Sequence, residues 1–358
     1  MMGFSRRGFL PAQDPAERFI RYPELQELDT LGHDLPSLLQ QPDFRPYLKH
    51  RHFPGWPGSA NTEDLPELRL YYVRMGFLAS AYINQVGQPA ENQLPANIAV
   101  PLVHACKLLQ RPPILSYDGY ALYNWKRFDK QGSIALGNID TLQNFVHLYD
   151  EHWFILVHVE IEAIAARLFS AIEIYLAESE PDTSALLTTL KLAIDDQTRV
   201  LRRIPEKMSP EIYFDQFRPY IRFFEHATYE GVNQKPIDHR GETGAQSSIM
   251  PALVAFLKIP HQPSELINHL RDMRHYMPKA HRDYLQYLEA LPSIKTRSEP
   301  ALFDAVLESV AQFREVHYGW AKQYIDSKVS DPRGTGGTPF MKWLKQLIDE
   351  TRAYKFSP

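Results

Sequence analysis

Leu302, Val306, Val310, Phe313, His317, Trp320 and Tyr324 recur at steps of three and four, which places them on one face of a single long helix. Ser298 and Pro300 supply start signals, and Asp331-Pro332 with the glycines that follow supplies a stop. One member of this apolar face is a histidine. An imidazole without a partner in an apolar wall costs about 1–3 kcal/mol, so His317 needs one. Two readings compete at this point. A core histidine satisfied by a protein neighbour is the commoner case; the other is a metal ligand, and neutral imidazole on an apolar wall suits haem iron.

Composition narrows the class. The chain has 358 residues, 44% of them hydrophobic and 12% aromatic, enough to bury a large core in one or two domains. A net charge of -4 and a pI near 6.4 leave no electrostatic footprint for nucleic acid. The one cysteine, Cys106, excludes internal disulfides, iron–sulfur clusters and cysteine-rich zinc sites, and fits a cytoplasmic protein. Its helical context, Leu102 to Leu109, suits a packed thiol better than a thiolate ligand. Ser5-Arg6-Arg7-Gly8-Phe9-Leu10 has the look of a twin-arginine export signal, but Pro11 to Arg18 is no apolar stretch. The most apolar run, Trp153 to Ala177, is interrupted by Glu160, Glu162, Arg167 and Glu173. A core helix fits it better than a membrane span.

Helical periodicity dominates and strand signals are sparse. Helices are predicted near 34–41, 64–84, 97–110, 151–178, 183–204, 210–224, 246–258, 263–273, 279–290, 300–327 and 338–351. Turn punctuation concentrates before residue 112, in Pro54-Gly55-Trp56-Pro57-Gly58, Gly87-Gln88-Pro89 and Arg111-Pro112-Pro113. These signals predict an all-α protein: a small, mostly helical N-terminal domain over 1–112, a connecting segment over 113–148, and a large helical domain over 149–358. The loop Gly334-Thr335-Gly336-Gly337-Thr338 reads as a flexible connector or as a backbone nest for an anionic group. It lacks the Lys-Ser/Thr ending of a phosphate-binding loop and no strand precedes it. It can fold back over whatever His317 holds.

Six segments in order resemble the indoleamine 2,3-dioxygenase family. They are Arg111-Pro112-Pro113-Ile114-Leu115-Ser116-Tyr117, Asn124-Trp125-Lys126, Tyr229-Glu230-Gly231, Gly244-Ala245-Gln246-Ser247-Ser248, Met273 to Arg282, and Gly334 to Thr338. They span roughly residues 110 to 350, and the first hundred residues match loosely. The resemblance implies a haem b dioxygenase that uses O2 to open the indole ring of L-tryptophan, giving N-formylkynurenine. His317 takes the place of the proximal iron ligand, which favours the metal reading over the core reading. Arg314 matches an arginine behind it, whose acidic partner in the animal enzymes appears here as Val254.

The resemblance also implies a substrate pocket. Tyr213 and Phe214 stand where the family often has two phenylalanines, and Arg218 at an arginine that binds the substrate carboxylate. A guanidinium fork suits that task, and ring walls suit an indole. Tyr117 and Tyr120 with Phe154 match the pocket wall, and Thr243-Gly244 a turn over the haem. Gly336 and Gly337 match the loop beside the cofactor, and Thr338 a threonine near the substrate ammonium. His158 is the departure: it falls where animal members carry a small hydroxyl residue, and tryptophan 2,3-dioxygenases use a distal histidine to contact the indole N–H. His281 and His275 read as packing or capping residues. The partner expected is a small indoleamine, with no nucleic acid and no membrane, acting on a monomer. Two alternatives stand beside this: a haem protein of the same fold acting on a tryptophan derivative in secondary metabolism, and a noncatalytic oxygen- or haem-binding protein.

Overall fold

The computed structural model describes residues 3–232, 235–325 and 340–357. The chain is mostly helical, as its periodicity predicts. Helices α1 (Gln26–Leu38), α2 (Phe44–Lys49), α3 (Leu65–Ile83) and α4 (Ala96–Leu108) precede α5 (Tyr149–Ala177), α6 (Thr183–Leu201) and the single turn α7 (Pro210–Ile212). Then follow α8 (Ile249–Leu257), α9 (Glu265–Arg274), α10 (Lys279–Ala290), α11 (Pro300–Tyr324) and α12 (Phe340–Ala353). Two small sheets join them. β1 (Gln93–Leu94) runs parallel to β4 (Phe224–Tyr229), which pairs antiparallel with β5 (Ile237–His239), while β2 (Trp125–Arg127) pairs antiparallel with β3 (Ile139–Thr141).

α5 is the central rod. Trp153, Ile155, Leu156, Val157, Val159, Ile161, Leu168, Phe169 and Ile172 are buried on several of its sides, the pattern of a helix enclosed by neighbours. α6 packs along it, α11 along α6, and α12 along α11. Two of the charges that interrupt the apolar run are matched: Arg167 pairs with Asp196 of α6 and Glu162 is buried on accepted hydrogen bonds. No helix among the described residues is long and apolar enough to cross a membrane.

Some boundaries differ from the sequence expectation. α1 begins eight residues before the expected 34 and carries Pro36 in its last turn. The helix expected over 210–224 is one α turn followed by a π-helical turn at Tyr213–Phe217, and then the strand β4. Pro219 cannot donate a backbone hydrogen bond, and pairing with β1 and β5 holds the following residues extended. α11 is capped by Glu299, whose carboxylate accepts from the backbone N–H groups of Ala301 and Leu302; Ser298 instead donates back to the Ile294 carbonyl at 2.9 Å.

The first residues are part of the core. Phe4 and Phe9 are buried against Phe169 of α5 and Tyr284 of α10, and His281 packs between their rings at 5.5 and 4.5 Å. Gly8 has φ +62°, and a methyl group there would meet the backbone oxygen of Glu162 at 2.1 Å. Only glycine allows the segment to lie this close.

Candidate functional site

The loop after α4 is closed by charge. Arg111 forms a buried ion pair with Asp118, its guanidinium lies 4.0 Å over the Tyr72 ring, and Asp118 also accepts from the backbone N–H of Gly119 at 2.8 Å. This fixes the turn that presents Tyr117 and the π-helical turn, Asp118–Leu122, that presents Tyr120. π turns recur at functional sites because they re-aim side chains. The Tyr117 hydroxyl donates to Glu162 at 2.9 Å and the Tyr120 hydroxyl to Glu151 at 2.9 Å.

Phe154, His158 and Glu162 stand at four-residue intervals on one face of α5. The Phe154 and His158 rings lie 4.6 Å apart, and Tyr117 meets His158 edge-on at 5.9 Å. His158 Nδ1 lies 2.7 Å from the carbonyl oxygen of Phe154. A carbonyl only accepts, so Nδ1 carries the proton. Burial lowers the pKa of this imidazole, which leaves it neutral with a bare Nε2.

Phe154 also meets Tyr213 at 5.5 Å and Phe217 at 5.9 Å. Tyr120 lies 6.3 Å from Phe154 on the other side. These rings form one aromatic wall. Arg218, the residue after the π turn, is 6% exposed, and its guanidinium lies 5.4 Å over the Phe214 ring. Burial pushes the Tyr213 phenol up to about 12, with Arg218 beside its hydroxyl pulling the other way.

The opposite side of the site is a tight turn. Gly241 is pressed onto the Ile221–Phe223 backbone, where a methyl group would come within 2.4 Å of the Ile221 oxygen. Gln246 stitches this turn to the Tyr117 loop, accepting from Tyr117 N–H at 3.0 Å and donating to the Gly241 carbonyl at 2.9 Å. Thr243 caps the 3-10 turn Gly244–Gln246 with its hydroxyl. A methyl group on Gly244 would sit 3.9 Å from Nε2 of His317. His317 presents open surface on α11, yet burial drives its pKa down to about 4, with the charge of His158 second. It therefore sits in a recess, neutral, facing the Gly244 turn and within electrostatic reach of His158. Its neighbours along α11, Phe313, Val316 and Trp320, are apolar and half-buried.

Tyr117, Tyr120, Phe154, His158, Tyr213, Phe214, Arg218, Thr243, Gly244 and His317 are thus assembled from five separate stretches of chain. Arg314 is placed elsewhere. It is 7% exposed and turns to α12, donating to the Leu347 carbonyl at 2.8 Å and to the Thr351 hydroxyl. With Val254 in the place of an acid, α12 satisfies this guanidinium, and Glu350 of that helix adds a favourable charge. Gly336, Gly337 and Thr338 lie outside the described residues, as does the whole loop from Gly334. His281 is a core residue: its Nδ1 lies 3.2 Å from the Ser248 hydroxyl. Cys106 is 1% exposed, and burial pushes its thiol up to about 12.

The sequence reading missed the carboxyls that position this wall. Glu151 accepts from the Phe145 and Val146 backbone N–H groups at 2.8 and 2.9 Å as well as from Tyr120. Glu162 accepts from Ser247 at 2.7 Å as well as from Tyr117. Burial raises both, Glu151 to about 8 and Glu162 to about 7. The available signal was a charged residue four positions after His158 in the most apolar run of the chain.

The family model described as indoleamine 2,3-dioxygenase matches residues 4–332. The chain belongs to the indoleamine 2,3-dioxygenase family. Among curated relatives, indoleamine 2,3-dioxygenase 2 of Homo sapiens is 30% identical over 322 residues, covering 80% of this chain and 79% of its own length. Indoleamine 2,3-dioxygenase 1 of Rattus norvegicus is 30% identical over 393 residues, covering 94% and 97%. A protein named myoglobin from Haliotis madaka is 26% identical over 349 residues, covering 90% and 89%. The family consists of haem-dependent dioxygenase oxidoreductases that use O2.

The residues present fit a haem. Imidazole ligates iron only when neutral, and burial keeps His317 neutral. The space off its Nε2 is bordered by a glycine whose missing side chain leaves it open. Among the described residues no group of three His, Cys, Asp or Glu is arranged to hold a metal ion. One imidazole in an apolar recess matches a macrocycle that brings its own four ligands.

Proposed function

We propose that this protein is a tryptophan-cleaving dioxygenase that inserts both atoms of O2 across the indole C2–C3 bond of L-tryptophan, giving N-formylkynurenine. The cofactor would be haem b, and His317 is the residue that would hold its iron. When bound, the haem supplies the redox chemistry that activates O2.

The chain's own residues bind and orient. Arg218 grips the substrate carboxylate bidentately, and its burial against Phe214 makes that pairing strong. Phe154, Tyr213 and Phe214, with Tyr117 and Tyr120, hold the flat indole by ring contacts. His158 accepts the indole N–H at Nε2, which fixes the ring's rotation about its own plane. Thr243 and Gly244 close the space toward His317, where a larger residue at Gly244 would intrude. Two anchors at opposite ends of the substrate restrict its orientation, and that restriction is a large part of catalysis. The single observation that carries this reading is Arg218: a buried guanidinium on the aromatic wall, within reach of Tyr213.

The match to a protein named myoglobin favours a second reading, noncatalytic oxygen binding. Arg218 argues against it, because an oxygen carrier has no use for a buried carboxylate fork. The test is the absorbance of the purified ferrous protein under O2 with and without L-tryptophan, followed by mass identification of the product. Turnover with a mass gain of two oxygen atoms supports the dioxygenase. A stable oxygenated spectrum that tryptophan does not alter overturns it.

A further inference from the structure

Glu242 is used by nothing described so far. It lies in the tight turn between Gly241, pinned on the Ile221–Phe223 backbone, and Gly244, beside His317. Its own N–H is held by the Ile221 carbonyl at 3.0 Å, so the residue is fixed at its root. It is 3% exposed. Its charge bears on three hydroxyls of the aromatic wall, those of Tyr117, Tyr120 and Tyr213. Two of these protons are committed to other acids: Tyr117 donates to Glu162 and Tyr120 to Glu151. The third hydroxyl, on Tyr213, has Arg218 beside it. Among the described residues the Glu242 carboxyl has no hydrogen-bond or ion-pair partner.

A buried carboxyl with neither donor nor cation is costly unless something supplies them. Arg218 does not: the two groups bear on the same tyrosine hydroxyl with opposite sign, yet no ion pair joins them. An acid and a guanidinium set apart in one pocket, both bearing on the Tyr213 hydroxyl, match a ligand that carries an ammonium and a carboxylate on one carbon. An α-amino acid is such a ligand. We propose that Glu242 takes the α-ammonium group of the substrate while Arg218 takes its carboxylate, so that the pocket selects a zwitterion. The ammonium offers three donors, and its charge draws Glu242 into the ionised form. Burial alone, which raises Glu242 to about 8, keeps it protonated until the ligand arrives.

This inference rests on the reading of Arg218 as a carboxylate anchor, and the experiment separates the two. Calorimetric binding to the full-length, haem-loaded protein without O2 compares L-tryptophan, indole-3-propionate, which lacks the ammonium, and tryptamine, which lacks the carboxylate. Glu242→Gln is nearly isosteric, and far-ultraviolet dichroism with haem content checks that it is folded and loaded. It should weaken L-tryptophan and tryptamine about ten-fold or more, the loss expected for one partner of a buried charge pair, and leave indole-3-propionate within about two-fold. Glu242→Asp, which keeps the charge, should retain part of the preference for tryptophan. Equal weakening of all three ligands, or of none, overturns the assignment. If the wild type ignores indoles but prefers another α-amino acid to its deamino analogue, and Glu242→Gln erases that preference, the ammonium assignment stands and the indole reading falls. No preference for any α-amino acid over its deamino analogue overturns the assignment.

Discussion

His158 donates from Nδ1 to the carbonyl oxygen of Phe154, one helical turn back along α5, at 2.7 Å. The hydrogen bond fixes the tautomer, because the only other nitrogen, Nε2, must then be the acceptor. An acceptor in the aromatic wall is complementary to an indole N–H. We predict that His158→Ala lowers kcat/KM for L-tryptophan about ten- to a hundred-fold, the worth of one buried hydrogen bond. The variant should lose nothing on 1-methyltryptophan, which has no N–H to donate. An equal loss on both substrates would show that His158 shapes the pocket and does not accept from the ring.

Desolvation holds both His317 and His281 neutral, at about 4 and about 3, but His281 is buried in the core whereas His317 opens onto the recess beside Gly244. His317→Ala should therefore abolish stable haem uptake, read as the Soret-to-protein absorbance ratio. His281→Ala should lower the melting temperature through its contacts with Phe4 and Phe9 and keep its haem. Normal haem content in the His317 variant would sink the ligand assignment.

The proposed carboxylate role of Arg218 has its own test. Losing one side of a buried, charge-assisted pair costs on the order of 2–5 kcal/mol, so Arg218→Ala should cut kcat/KM for L-tryptophan by tens- to thousands-fold. Tryptamine should be nearly unaffected. Equal losses on both would assign the arginine to packing on Phe214.

Glu162 makes stability depend on pH in an unusual direction. Its carboxyl is raised to about 7 by burial, above its ordinary value of about 4.5. The folded protein therefore holds a proton that the unfolded chain has lost between these values, and stability falls as pH rises through that window. His317 and His281, lowered by burial, act oppositely below about pH 6.5, so the comparison must be with a variant. Going from pH 5 to pH 8, the unfolding free energy of Glu162→Gln should improve relative to wild type by roughly 2–3 kcal/mol. Urea titrations of both proteins at the two pH values measure it. A constant difference would show that Glu162 titrates normally.

What the sequence disclosed and what it withheld divide along physical lines. The α11 stripe was legible in part, because burial imposes the helical period: Val306, Val310 and Tyr324 are buried, whereas Leu302, Phe313 and Trp320 are half-buried and His317 is exposed. The departure at Phe224–Tyr229 was not, since a strand of this kind is decided by its partners β1 and β5, the first of which lies some 130 residues away. The rings that the structure brings together around Phe154 were legible through the family resemblance. The acids behind them were not, because a glutamate that accepts from a distant tyrosine carries no local signature. Arg314 shows the same limit: its partners Leu347 and Thr351 come from a helix more than thirty residues later.

Gly8 touches none of the pocket rings, yet its backbone seats directly on Glu162, the residue that anchors Tyr117. A side chain there must either lift the N-terminal segment or push α5 sideways, and the push arrives one hydrogen bond away from the aromatic wall. In a saturation library, Gly8 should thus score as intolerant as an active-site position. A fusion placed ahead of it has to leave residues 4–10 free to dock. Residues 4–10 work as a plug seated on α5 and α10, and its fit is a second-hand control on the shape of the pocket.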